Sequence, residues 1–270
     1  MSGSEDTSDK AYRNAAFMNS RSARPLRILA EYLQPEQRFE AFRISDTIVF
    51  FGSSRILSRE TADAALAAAE AEGGDVAAAR QAQAMSRYYE DCRELARRLT
   101  EWSKGLEEKR RRFVVCSGGG PGIMEAANRG ASEAKGINVG LGISIPFEKT
   151  GNSFITRHLS FEFHYFFMRK FWFVYLAKAL IAFPGGFGTL DEFFEVMTLV
   201  QTGKLKKKMP IVLYGTEFWD QVLNLDALVR LGTVSAGDLS LFHRTDTVDD
   251  AFDFITRELT EAIGAPGVRL

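Results

Sequence analysis

Five stretches of the chain are almost entirely apolar, interrupted only by Asn138 in the third and Lys178 in the fourth, and each runs into small residues or a turn: TIVFFGSS (47–54), FVVCSGGGPG (113–122), INVGLGISIP (137–146), AKALIAFPGGFG (177–188) and PIVLYG (210–215). Runs of this kind, rich in Val, Ile and Phe, predict strands covered on both faces rather than half-exposed ones. Between them lie segments of helical length: 58–108, which Gly73-Gly74 divides into two helices, then Gly122 to Lys135, Tyr165 to Ala177, Thr189 to Thr202, Glu217 to Arg230 and Val248 to Ile263. Strand and helix alternating in this way predict an α/β fold, a doubly wound and mainly parallel sheet with helices on both faces. Residues 26–43 carry short helical patterns that Pro35 is expected to break, and residues 1 to about 20 read as disordered. The chain therefore divides into a partly disordered, partly helical N-terminal extension (1–45) and one α/β domain (46–270).

The greasiest stretch, residues 163–183, is long enough for a membrane span, but Arg169, Lys170 and Lys178 lie inside it. One charge near a bilayer centre costs about 3 kcal/mol, so the stretch reads as a buried helix entering a buried strand. Composition is that of an ordinary globular protein, 46% apolar and 26% charged. Net charge is −1, from 34 basic and 35 acidic residues, which removes the field expected of a dedicated nucleic-acid binder. Two cysteines without CxxC spacing and three scattered histidines exclude a disulfide scaffold and a Cys/His zinc site. The polar start MSGSEDTSDK has no apolar core for a secretory signal, so a cytoplasmic location is expected, with no membrane partner.

Three loops rich in Gly and Ser follow strands: 52–54, 117–122 and 184–189. In a doubly wound sheet such loops gather at one rim, where ligands bind. In SGGGPGIME, Gly118, Gly119, Gly120 and Gly122 let backbone amides approach an anion, and the following helix adds its positive end. The string is neither a Walker A motif nor a GxGxxG fingerprint, and its glycines also suit a plain tight turn with Glu125 in the first helical turn. In PGGFGTLDE, Gly185, Gly186 and Gly188 free amides again. Thr189 to Glu192 has the T-x-x-E spacing of a capping box, worth roughly 1 kcal/mol to a helix. Glu192 is thus a cap or a catalyst, and the sequence leaves both open.

Arg169-Lys170 interrupts an apolar helix. Adjacent positions point about 100° apart, so only one cation shares the solvent face. The other needs a carboxylate such as Glu162 or Glu195, or a phosphate or sugar at the rim. KRRR (109–112) and KLKKK (204–208) read as solvated helix ends, His158 and His164 as structural, and Cys116 as a buried apolar residue.

SGGGPGIMEAANRGA, then MRK, then PGGFGTLDE resemble, in order, the motifs of the LONELY GUY family, cytokinin riboside 5′-monophosphate phosphoribohydrolases. The family hallmark PGGxGTxxE is matched without a gap by Pro184 to Glu192, and the likeness extends over roughly residues 46–230. The resemblance implies a Rossmann-like fold and hydrolysis of an N-glycosidic bond, releasing free base and ribose 5-phosphate. It implies catalytic roles for Arg169 and Glu192. It implies nucleotide binding by Gly118, Gly119, Gly120, Gly122, Met124, Glu125, Lys170, Gly185, Gly186, Phe187, Gly188, Thr189, Leu190, Asp191 and Thr198. No metal or other cofactor is implied, and members often labelled lysine decarboxylases show no residue set here for pyridoxal phosphate. The short plant members carry MHxRK where this chain has FFMRK. The extra N-terminal residues and the long Ala/Glu/Arg helices make it similar to the longer bacterial type, which leaves AMP and cytokinin nucleotides both open as substrates. The apolar helix FFxxKFWFVY predicts a homodimer or larger assembly. Two rivals remain on the same fold: a carrier of a nucleotide or molybdenum cofactor, and an interaction protein that keeps the loops for turn geometry.

Overall fold

The computed structural model describes residues 10–106, 109–144 and 151–264. Disorder expected over residues 1–9, and the end of the strand expected to reach residue 146, lie outside these. Residues 10–20 depart from the expectation: Ala11–Arg13 forms a turn of 3-10 helix and α1 (Ala15–Asn19) follows, with Asn14 accepting a hydrogen bond from the Phe17 amide at 2.9 Å.

The next helix, α2 (Arg24–Ala41), runs straight through Pro35, contrary to the break expected there. An interior proline forfeits a hydrogen bond and typically costs about 3 kcal/mol. Packing offsets it, because Pro35 and Phe39 are buried and the Phe39 ring lies 5.2–5.3 Å from those of Phe161 and Trp172.

From there the alternation follows the sequence pattern. β1 (Thr47–Phe51) leads to α3 (Arg59–Glu72) and α4 (Val76–Lys104), separated at Gly73, whose φ of 76° gives the left-handed stop of α3. β2 (Val114–Ser117), α5 (Ile123–Glu133), β3 (Asn138–Ile143) and β4 (Ser160–Phe163) complete the first half. α6 (Phe166–Leu176) passes directly into β5 (Ala177–Ala182), as the apolar stretch predicts. α7 (Phe187–Gln201) and β6 (Ile211–Tyr214) follow. The single helix expected over 217–230 is two, α8 (Thr216–Val222) and α9 (Leu225–Arg230), because the Asn224 side chain caps a new start by accepting from the Ala227 amide. β7 (His243–Thr245) and α10 (Val248–Gly264) end the described chain.

All seven strands of the described residues are parallel, in the order β4-β3-β2-β1-β5-β6-β7. The fold is therefore a Rossmann-like α/β sheet. Alternate residues feed two cores: Ile48 and Phe50 face α4, α5 and α10, while Val49 and Phe51 face α2, α6 and α7. β4 and β7 escape the apolar-run criterion for a physical reason. Both are edge strands, and SFEF alternates exposed and buried. Chain order reverses between β1 and β5, which makes the crevice at their C-terminal ends the switch point where such sheets bind ligands. No helix among the described residues is long and apolar enough to cross a membrane.

The two basic runs are not simply solvated. Arg112 pairs with buried Asp46 at 2.7 Å, and Lys207 donates to the Val174 and Tyr175 carbonyls at the end of α6. Burial pushes the Lys207 ammonium down to about 8. Cys116 is buried, as expected, and burial pushes its thiol up.

Candidate active site

A cavity of about 950 Å³ opens over the C-terminal ends of β1, β2, β3 and β5. The three Gly/Ser loops meet there through their backbones. The Ser53 amide donates to the Pro184 carbonyl at 3.0 Å, and the Ser53 carbonyl accepts from the Ile123 amide at 3.1 Å, so the first loop ties the other two together. Gly122 must be glycine: its φ is +69°, and a Cβ there would lie 2.4 Å from the Ser53 carbonyl oxygen. A buried polar network holds the second loop. Ser117 Oγ accepts from the Gly119 amide and donates to Asn128, while Asn152 Nδ2 donates to the carbonyls of Gly119 and Gly120.

Two helices begin at the cavity wall without side-chain caps, α5 after Gly122 and α7 after Gly186. Met124 lines the cavity from the first turn of α5, and Phe187, Gly188 and Thr189 line it from that of α7. Uncapped first turns carry partial positive charge and spare amide donors. A Cβ at Gly186 or Gly188 would meet nothing within 4 Å, so both glycines face open space, whereas Gly185 packs on Thr189.

Because α7 begins at Phe187, Glu192 is the sixth residue of the helix and cannot close a capping box with Thr189. The cap reading is overturned. The Glu192 side chain is only 4% exposed, lines the cavity, and neither of its oxygens accepts a hydrogen bond among the described residues. Arg169 Nη2 lies 3.6 Å from Oε1 and Lys170 Nζ lies 3.7 Å from Oε2. Burial pushes the Glu192 carboxyl up to about 7, against the pull of these two cations. Arg169 projects from α6 between the rings of Phe166 and Phe173, 5.2 and 5.6 Å from their centres. The partner weighed for a buried cation, Glu195, is bound instead by Lys170, at 2.7 Å.

Of the residues singled out from sequence, Gly118, Gly119, Gly120, Met124, Arg169, Gly186, Phe187, Gly188, Thr189 and Glu192 line this cavity. Lys170, Leu190, Asp191 and Thr198, with Phe187, line a neighbouring depression of about 640 Å³. There Lys170 is salt-bridged to Asp191 at 2.8 Å, and its two close carboxylates outweigh burial and raise its pKa. Glu125 accepts from the Tyr89 hydroxyl at 2.7 Å, and Thr198 Oγ1 donates to the Phe194 carbonyl within its own helix.

Sequence reasoning missed Arg55 and Ser144, which also line the cavity, and weighed Glu162, a further lining residue, only as an ion-pair partner, a role it does not take among the described residues. Arg55 has no ion-pair partner among the described residues, and its sequence signal is a base directly after the first small-residue loop. Ser144, just past β3, carried no signal of its own, and the place of Glu162 at the cavity was hidden because β4 was not foreseen.

Among solved structures, the chain resembles a structural-genomics target, TM1055, at 21% identity and a TM-score of 0.45, over 78% of this chain and 99% of that one. It also resembles the Moco carrier protein of Chlamydomonas reinhardtii, at 16% identity and a TM-score of 0.44, over 80% and 99% of the two chains. A third likeness is to the molybdenum cofactor binding protein of the phototrophic bacterium Rippkaea orientalis, at 15% identity and a TM-score of 0.45, over 80% and 96%. No curated protein sequence matches the chain. Residues 124–255, which contain Arg169, Glu192 and the whole of the third loop, match the model of the family described as "Possible lysine decarboxylase".

Proposed function

We propose that this chain is a nucleoside 5′-monophosphate N-glycosidase of the LONELY GUY type, which hydrolyses AMP or an N6-substituted relative to free base and ribose 5-phosphate. The observation that carries the reading is Glu192: a desolvated carboxylate without a hydrogen-bond donor among the described residues, facing a cavity whose walls after β1, β2 and β5 suit an anion. The amides of the two uncapped helices, the glycine loops and Arg55 hold the 5′-phosphate away from the reacting carbon, where its binding energy can orient the sugar. Glycosidic cleavage passes through a sugar with oxocarbenium character. Ionised Glu192 stabilises that charge and takes a proton from water as the water oxygen bonds to C1′ and the C1′–N bond breaks. The base departs with the bonding pair and recovers a proton through solvent. Arg169, beside Glu192, favours the ionised form on which both roles depend.

Lysine decarboxylation fits the site poorly. Pyridoxal phosphate is held through a lysine amine. No lysine lines the cavity among the described residues, and Lys170 is engaged by Asp191 and Glu195. A carrier of a phosphorylated ligand would use the same amides but has no use for a buried, undercompensated carboxylate. The chain is further proposed to act in the cytoplasm and as a homo-oligomer, the latter supported by the exposed aromatic rings of Phe167 and Tyr175 outside the cavity.

The test is incubation with AMP, with adenine and ribose 5-phosphate measured together. Equal release of both supports the reading. Tight AMP binding with no release makes the chain a carrier.

A further inference from the structure

The cavity has a second carboxylate that the hydrolysis does not use. Ser144, just past β3, and Glu162, on edge strand β4, both line it, and Ser144 Oγ donates to Glu162 Oε1 at 2.6 Å. The Ser144 amide also donates to the Phe163 carbonyl at 2.9 Å, which fixes the pair to the sheet. Glu162 has no basic partner among the described residues, so this end of the cavity repels a phosphate and attracts hydrogen-bond donors. The phosphate-type loops sit on β1, β2 and β5, and β4 lies three strands from β1. At the usual strand spacing that is about 14 Å, a span that an extended nucleoside monophosphate covers from phosphate to base edge.

The cavity also has apolar lining. Ile155, Phe161 and Phe166 line it together with Gly140 and Gly142. A Cβ on Gly140 would lie 2.5 Å from Ile155 Cδ1, and one on Gly142 would lie 3.1 Å from the Phe161 carbonyl oxygen, so the two glycines let Ile155 and β4 pack close against β3 in the cavity wall.

Building on the glycosidase reading, we propose that Ser144 and Glu162 form the base-recognition edge of the cavity and select nucleotides whose base presents an amino group. An exocyclic amine donates to a free Glu162 oxygen, while the Ser144 hydroxyl, released from Glu162, turns to the adjacent ring nitrogen. In the same pose, a base with a carbonyl in the amine's place sets that carbonyl's lone pairs against the carboxylate, and its ring N–H faces Ser144 rather than Glu162. Sites built to pair a polar group reject a substrate that cannot supply it by large factors.

AMP and IMP differ in this respect, one carrying a 6-amino and the other a 6-oxo group. The experiment is kcat/KM for both nucleotides on the wild type, Glu162→Gln and Ser144→Ala, with calorimetric binding of both to the same proteins and a melting curve for each. The expected result is an AMP preference on the order of 100-fold or more in the wild type. It should shrink to within about tenfold in Glu162→Gln, whose amide can meet either group, and Ser144→Ala should lower kcat/KM for AMP. Equal use of AMP and IMP by the wild type, or an unchanged ratio in a folded Glu162→Gln, overturns the proposal and leaves the glycosidase reading standing. If neither nucleotide is cleaved, the glycosidase reading falls instead. The ratio of the two binding constants then decides this proposal, with equal affinities overturning it.

Discussion

Arg169 on α6 and Glu192 on α7 hold opposite charges 3.6 Å apart in the cavity wall, with side chains 15% and 4% exposed. The pair is too long for a tight ion pair and too buried for water to screen it. It therefore compensates only part of the carboxylate's desolvation, and Glu192 is left poised near neutrality.

Activity and stability should respond to pH in opposite directions. Glu192 acts as an anion, so kcat/KM should rise with pH through an acid limb near 7. Its folded pKa is raised from 4.5, so the native state binds the proton more tightly than the unfolded chain does. Its contribution to stability is complete below about pH 4.5 and is lost as pH rises to about 7, roughly 3 kcal/mol in all. A pH–rate profile and denaturant midpoints of wild type and Glu192→Gln check both: the variant should match the wild type near pH 4.5 and exceed it near pH 8.

Removing the neighbouring cation should make that limb move. In Arg169→Ala the carboxylate loses one of two opposing charges, so the acid limb should shift to higher pH and kcat/KM should fall about 100-fold. The melting temperature should change little. A variant that unfolds while Arg169→Lys retains full activity would point to a structural ion pair.

Arg55 should reveal itself through the phosphate. As a base at the cavity wall with no ion-pair partner among the described residues, it is expected to contribute a charge-assisted hydrogen bond of roughly 2 kcal/mol to ligand binding. Arg55→Ala should raise KM for AMP about 30-fold, with a smaller effect on kcat, and should leave inhibition by free adenine unchanged.

Gly130 tests the packing that positions the second loop. Its α5 backbone approaches α4 so closely that an added Cβ would lie 2.0 Å from the Arg93 carbonyl oxygen. Gly130→Ala should destabilise the fold by about 3 kcal/mol, read as a lower denaturant midpoint with unchanged slope. An unaffected midpoint would mean that the two helices slide apart at little cost.

How much of this was legible in the chain depends on how local each cause is. The five central strands announce themselves because Val49 or Ile181 must be apolar whichever face of the sheet it meets. β4 did not, because Glu162 points to an open cavity while Phe161 and Phe163 are buried, and four alternating residues carry little signal. Glycine loops after strands, and Arg169 in an apolar helix, marked the cavity correctly. The role of Glu192 was undecidable, since T-x-x-E spacing fits a cap and a catalyst equally. The cap reading falls only because α7 starts at Phe187, which makes Glu192 its sixth residue, a start that the spacing does not show. Pro35 shows the converse: a local break overridden by contacts with rings more than 120 residues away.

The most direct test of the central claim is free-base release from AMP by wild type and Glu192→Gln at pH 8, with AMP affinity measured on the same samples. Glutamine keeps the size and loses the charge. Turnover should fall on the order of 10²–10⁴-fold, while AMP binds as well as before or more tightly, because a buried anion near the nucleotide no longer opposes its phosphate. Undiminished release of adenine by a folded Glu192→Gln protein would contradict the account.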